Sequence, residues 1–185
     1  MKQIIRINTF ETNSSSLHTL TITDDKVDPA MLNTLRFNIG FGAYGWEKES
    51  YTNPVAIIQY LWTMVHYGDV DNKYIKLMKE WLPNCTFDED VPIRHDNYGD
   101  NYDLWKMEEE AYIDHAHAWF EPSYDWETEK EGDKPLIDEL FADKQIFANV
   151  VLGSRLATWN DNDFVDSDPD FLEPKDAIKV FFKGN

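Results

Sequence analysis

The chain has 185 residues, 35 acidic against 17 basic side chains, a net charge of −18 and a pI near 4.4. That charge is repelled by nucleic acid and by anionic membranes and attracted to basic partners, and an aromatic content of 15% with seven Trp excludes a disordered chain. A single Cys excludes an internal disulfide, and with neither a signal peptide nor an apolar run able to span a bilayer, the expected setting is soluble and cytoplasmic.

Residues 3–9 alternate around Ile5 and Ile7, the pattern of a half-buried strand. A second strand is predicted to end at Thr23, after the polar stretch Phe10 to Leu20; Asp24, Asp25 and Pro29 mark a loop. Leu35, Phe37 and Ile39 alternate as a third strand, so the N-terminal third reads as a small antiparallel sheet. Gly40, Gly42 and Gly45 permit either a loop lying over a site or an ordinary turn into a helix. Asn53 and Pro54 are a helix start, and Ile57, Ile58, Leu61, Trp62 and Val65 follow at helical spacing until Gly68. Asp71 is placed to cap the next helix, whose inner stripe is Tyr74, Ile75, Met78, Trp81 and Leu82, with Lys73, Lys76 and Lys79 outward and Pro83 as its stop.

Beyond Cys85 the composition changes: residues 86–145 carry 19 Asp and Glu against 5 Lys and Arg. His95 to Asp103 reads as an exposed loop, Met107 to Phe120 as a helix, and Pro122 to Asp133 as a charged loop. Pro135 to Phe141 is predicted as a short helix with Leu136, Leu140 and Phe141 inward, and the β-branched run Ile146 to Leu152 as a strand. An acidic loop, Asn160 to Asp170, precedes a closing strand, Ile178 to Phe182. The whole predicts a single α+β domain over residues 1–185, with a mixed or antiparallel sheet and about three to five helices.

The densest polar chemistry lies in FETNSSSLHTL, where Glu11, Asn13, Ser14, Ser15, Ser16 and His18 fall between two strands. Short polar side chains in a row also make tight turns by bonding nearby backbone. Strand alternation puts His18 on the apolar face with Leu20 and Ile22, where an imidazole needs a hydrogen-bond partner. Ser15 or Ser16 as nucleophile, with Ser14 a third choice, His18 as base and Asp114 as orienter would compose a hydrolytic triad, although no nucleophile elbow is present. Asp114, Asp161 and Asp163 are a candidate Mg²⁺ cluster. The soft or borderline metal ligands are Cys85, His18, His66, His95, His115 and His117, with no close pair at zinc-finger spacing.

The acidic surface is the other candidate. Duplex DNA carries one negative charge about every 1.7 Å of axis, so a face of carboxylates can occupy a basic nucleic-acid channel. Two faces qualify, Asp88 to Asp103 with Asp100 and Asp103, and Glu121 to Asp133 with Asp125, Glu127 and Glu129. Tyr98, Tyr102, Trp105, Trp119, Tyr124 and Trp126 are interleaved as candidate binding anchors.

FETNSSSLHTL resembles the FETNSSSxHxL signature of small proteins from phages, prophages and Gram-positive bacteria. FGAYGWE (Phe41 to Glu47), TNPVAIIQYLWTM (Thr52 to Met64), the isolated Cys85, YIDH (Tyr112 to His115) and NDN (Asn160 to Asn162) follow in the family's order. Ala116 and His117 stand where the family has Gln-Ser after YIDH. The resemblance implies a structural Zn²⁺ on His18, Cys85 and His115, with His117 as a fourth ligand. Acidic proteins of mobile elements are similar in character to type II anti-CRISPR proteins, which implies a basic host partner, specifically a Cas9-type effector, bound stoichiometrically. A metal-dependent or Ser/His enzyme at the NSSSxH motif is the alternative.

Overall fold

A computed structural model describes residues 3–5, 16–44, 49–68, 71–90, 93–95, 105–107, 112–113, 116–125, 130–160 and 175–183. Strand β1 (Gln3–Ile5) is followed by β2 (Ser16–Ile22) and by a 3-10 turn, Pro29–Thr34, where the sequence suggested a loop. Asp28 starts that turn by accepting the Ala30 amide at 2.9 Å, and Pro29 fits its first position. Of the predicted third strand, Asn38–Ile39 (β3) is paired as a strand, and Leu35 is extended where it closes the 3-10 turn. Strands β4 (Ala43–Tyr44) and β5 (Glu49–Tyr51) lead to helix α1 (Pro54–Gly68).

Asn53 starts α1 as expected, its side chain accepting the Ala56 amide at 2.8 Å. Ile57, Ile58, Tyr60, Leu61, Trp62, Met64 and Val65 are all fully buried, so the helix is enclosed nearly all round. Helix α2 (Lys73–Trp81) buries Tyr74, Met78 and Trp81 as predicted, but its cap is Asn72 rather than Asp71. Asn72 sits in the left-handed region at φ 54°, which Asn tolerates better than most residues.

Short strands occupy the acidic middle: β6 (Thr86–Phe87), β7 (Ile93–His95), β8 (Trp105–Met107) and β9 (Tyr112–Ile113), of which β7 and β8 pair with each other. The predicted helix from Met107 to Phe120 is therefore replaced, where described, by strand residues and a 3-10 turn, Ala116–Phe120. The predicted charged loop after it is an antiparallel hairpin, β10 (Pro122–Asp125) with β11 (Lys130–Pro135), in the register Asp125 to Lys130 and Tyr124 to Glu131. Helix α3 (Leu136–Leu140) follows as expected.

The run read as a β-branched strand is helix α4 (Lys144–Leu152): Asp143 accepts the Ile146 amide at 2.8 Å, and Phe147, Val150 and Val151 turn inward at helical spacing. The strand in this part of the chain is β12 (Ser154–Asn160), and β13 (Lys179–Lys183) closes the described chain where expected.

One mixed sheet of five strands, in the order β1-β13-β2-β12-β5, is built from both ends of the chain. It replaces the N-terminal antiparallel sheet expected from sequence: β1 runs parallel to β13, β2 lies between β13 and β12, and β3 leaves to pair with β6. Helices α1, α3 and α4 contribute with one face of this sheet to a single buried cluster that includes Leu20, Ile22, Leu156 and Phe181. Both faces of β2 are buried, since Leu17, Thr19 and Thr21 are as inaccessible as His18, Leu20 and Ile22. The fold is α+β, and no helix among the described residues is long and apolar enough to cross a membrane.

Candidate functional site at the polar end of the sheet

Along β2 the core-facing row changes from apolar to polar. Leu20 lies opposite Leu156 of β12 and Phe181 of β13, and Leu156 opposite Tyr51 of β5. One step toward the start of β2, His18 stands opposite Thr158 and Lys183, and Thr158 opposite Glu49. Ser16 and Asn160 are in register beyond them. His18 and Thr158 are both 0% exposed, so this row carries its polarity inside the protein.

The partner that a buried His18 requires is Tyr60 of α1, whose hydroxyl lies 2.7 Å from Nδ1. Trp119, in the 3-10 turn after β9, donates its indole N–H to the same oxygen at 2.8 Å. Tyr60 is itself enclosed edge-on by His18, Tyr44 and Trp119, with ring centroids 5.6, 5.0 and 6.3 Å away. Burial raises the Tyr60 hydroxyl pKa well above that of a free tyrosine, partly offset by the Trp119 N–H. Tyr44 is raised as well, first by burial and then by Tyr51 and Glu49, while Tyr51 donates its hydroxyl to the Glu49 carboxylate.

The glycine segment lies along α1. Gly42 donates its amide to Thr63 Oγ1 at 3.0 Å, and Gln59 donates its side-chain amide to the Phe41 carbonyl at 2.7 Å. A Cβ at Gly42 would come within 2.7 Å of the Tyr44 ring, so the residue that lets this segment fold back on itself is a glycine. Beside it, β4 pairs in parallel with β9, setting Tyr44 against Ile113.

Described parts of five segments singled out in the sequence therefore meet here: Ser16 to Leu20, Phe41 to Tyr44, Tyr60, Tyr112 with Ile113, and Asn160. Cys85 is elsewhere. It packs half-buried beside the core at the end of α2, with its thiol directed at the Leu35 carbonyl at 3.7 Å. Of the four residues of the expected zinc set, His18 and Cys85 have described side chains and are held by separate partners, and no group of three or more His, Cys, Asp or Glu that could hold a metal is gathered among the described residues. His115 lies outside the described residues, and His117 is in the Ala116–Phe120 turn.

Of the hydrolytic triad, Ser16 opens β2 and His18 follows two residues later, while Ser14, Ser15 and Asp114 lie outside the described residues, as do Glu11 and Asn13. The orienter's place at Nδ1 is taken by Tyr60. Of the partner-binding residues, Asp125 ends β10 opposite Lys130; Asp100, Asp103, Trp126, Glu127 and Glu129 are outside the described residues, together with Asp161 and Asp163. Trp119, expected as an exposed anchor, is a core residue with 0% exposure. Tyr60 was missed because its partners are 42 and 59 residues away, leaving only a phenol on a buried helix as a local signal.

A second polar cluster joins α2 to α3. Asp138 accepts from Lys73 Nζ and, at 2.8 Å, from the Tyr74 hydroxyl. The Lys73 hydrogen bond holds the Asp138 carboxyl below its usual range, helped by Tyr74, and Tyr74 is pushed up to about 12, first by burial and then by that carboxylate. Lys79 pairs with Glu89, so Lys73 and Lys79 on this face both carry carboxylate partners among the described residues.

No known protein family, curated protein or solved structure matches this chain.

Proposed function

We propose that this protein is an acidic, mobile-element-encoded inhibitor that binds a basic, nucleic-acid-handling host protein. The specific target is a Cas9-type effector, and one-to-one binding blocks nucleic-acid loading or the conformational change that licenses cleavage. The observation that carries this reading is the charge distribution: residues 86–145 hold a net −14 of the chain's −18. Within them, Glu121 to Asp133 hold six carboxylates against one lysine, with Tyr124 and Trp126 between them. Strands β10 and β11 pair at the two ends of this stretch. Ion pairing of Lys73 and Lys79 further reduces the positive charge available to compete.

The test is titration of the protein into a guided plasmid-cleavage reaction, before and after guide loading. Inhibition saturating at one equivalent is expected, with an order-of-addition effect naming the blocked step. Changing Asp125, Glu127 and Glu129 to Lys should weaken inhibition roughly tenfold or more at low salt and flatten its salt dependence. No inhibition at large excess across several orthologues would remove the specific target.

The second reading, an enzyme at the NSSSxH motif, is favoured by the meeting of five motif segments around Tyr60. Inhibition or turnover far below one equivalent would select it.

A further inference from the structure

The buried hydroxyl of Tyr60 has two polar neighbours among the described residues, Trp119 Nε1 at 2.8 Å and His18 Nδ1 at 2.7 Å. An indole N–H can only donate, so the Tyr60 oxygen is the acceptor in that pair. Tyr60 is 0% exposed, and a phenol proton enclosed to that degree is given to an acceptor rather than left unpaired. The acceptor within reach is the lone pair of an unprotonated Nδ1. We infer that Tyr60, its oxygen engaged by Trp119, holds His18 as the neutral Nε2–H tautomer, so that His18 is a fixed hydrogen-bond donor at Nε2 and Tyr60 is the positioning residue that makes it one.

This assignment reverses what either catalytic or metal chemistry would ask of the ring. A histidine base takes its proton on Nε2 while Nδ1–H donates to a carboxylate, and a metal-bound imidazole likewise donates from its second nitrogen. Here the group facing Nδ1 offers a proton. With Nδ1–H instead, two N–H donors would share one phenol oxygen and the Tyr60 proton would have no described acceptor. The chemistry left to His18 is donation from Nε2 to an oxygen acceptor, without proton transfer. The inference is independent of the acidic-surface reading and stands or falls separately.

The test is a long-range proton–nitrogen correlation spectrum of the ¹⁵N-labelled full chain at neutral pH, with His18 assigned through its backbone. An Nδ1 resonance far downfield, in the unprotonated range, with Nε2 in the protonated range is the expected result. In Tyr60→Phe the two resonances should draw together as the tautomers mix. Trp119→Phe keeps the phenol but removes the donor that biases it, and should move them in the same direction. A protonated Nδ1 in the unaltered protein would overturn the inference, as would two protonated nitrogens or His18 shifts that respond to zinc and are reversed by a chelator. Because the unaltered protein alone discriminates these outcomes, a variant that fails to fold does not rescue the proposal.

Discussion

Removing the Tyr60 hydroxyl takes away one oxygen and leaves two groups without their partner, the Trp119 N–H and His18 Nδ1, both on residues with 0% exposure. Each buried polar atom so stranded costs about 1–3 kcal/mol, whereas the cavity left by a single oxygen is small. Tyr60→Phe should therefore lose about 2–4 kcal/mol, which for a chain of this length is a fall in Tm of roughly 5–15 °C. Urea unfolding, followed in parallel by Trp fluorescence and far-ultraviolet circular dichroism, measures it, with an unchanged m-value as the check that the unfolded ensemble is the same. Tyr44→Phe is the internal comparison: its hydroxyl reaches the Ala56 carbonyl at 3.3 Å, and its loss should cost less than about 1 kcal/mol. Trp119→Phe combined with Tyr60→Phe should cost less than the sum of the two, because the indole N–H that the first change strands is itself gone. A cost for Tyr60→Phe below about 0.5 kcal/mol, or strict additivity of the pair, would refute a shared hydroxyl.

Gly153 ends α4 where a Cβ would meet the Asp24 carbonyl at 2.3 Å, and its own carbonyl accepts the Thr23 and Asp24 amides. Gly153→Ala should cost about 2–3 kcal/mol in the same unfolding measurement, and a cost below about 1 kcal/mol would mean that the 23–24 turn can move aside. At high pH, Tyr60, Tyr44 and Tyr74, whose pKa values are raised, keep in the folded state protons that the unfolded chain releases from pH 10.0 upward. Stability should hold below pH 10 and fall as pH climbs through the window up to about 12, with Tyr74→Phe flattening only a small part of that slope because Tyr74 is partly solvated. At the acid end, the lowered carboxyl of Asp138 contributes above its ordinary value of 3.8 and loses that contribution as pH falls below it. The stability gap between Asp138→Asn and the unaltered protein should therefore be small at pH 7 and close further below pH 4; a gap that widens in acid would refute the pairing with Lys73.

Legibility followed the reach of the signal. Helix α1 announced itself through Asn53 and Pro54, whose effects are local, and His18 through the alternation of Leu17 to Ile22. The run Ile146 to Leu152 misled because a short continuous apolar segment fits a buried strand and a buried helix equally, and its β-branched residues favoured the wrong one. The capping aspartate three residues before it, Asp143, was the available correction. Glu108 to Glu110 suggested a helix start, yet the described residues on either side are short strands paired with distant partners, Tyr112 and Ile113 with Ala43 and Tyr44, and Trp105 to Met107 with Ile93 to His95. Pairings of that kind leave no periodic trace in the segment itself.

The three side chains at the polar end belong to segments that no local pattern connects, and their energetics explain why they occur together. His18, Tyr60 and Trp119 are each expensive to bury alone, since an imidazole, a phenol and an indole all bring polar atoms out of water. Joined through one oxygen, the Tyr60 hydroxyl, His18 Nδ1 and the Trp119 N–H are satisfied together at 2.7 and 2.8 Å. Losing one member therefore costs more than the network contributes over a well-packed apolar replacement of all three. What the network supplies is specificity: β2 cannot slip by one residue without turning His18 to the opposite face and away from Tyr60. The register that brings Thr158 and Lys183 opposite His18, and Ser16 opposite Asn160, is thus tied to a single hydroxyl on α1.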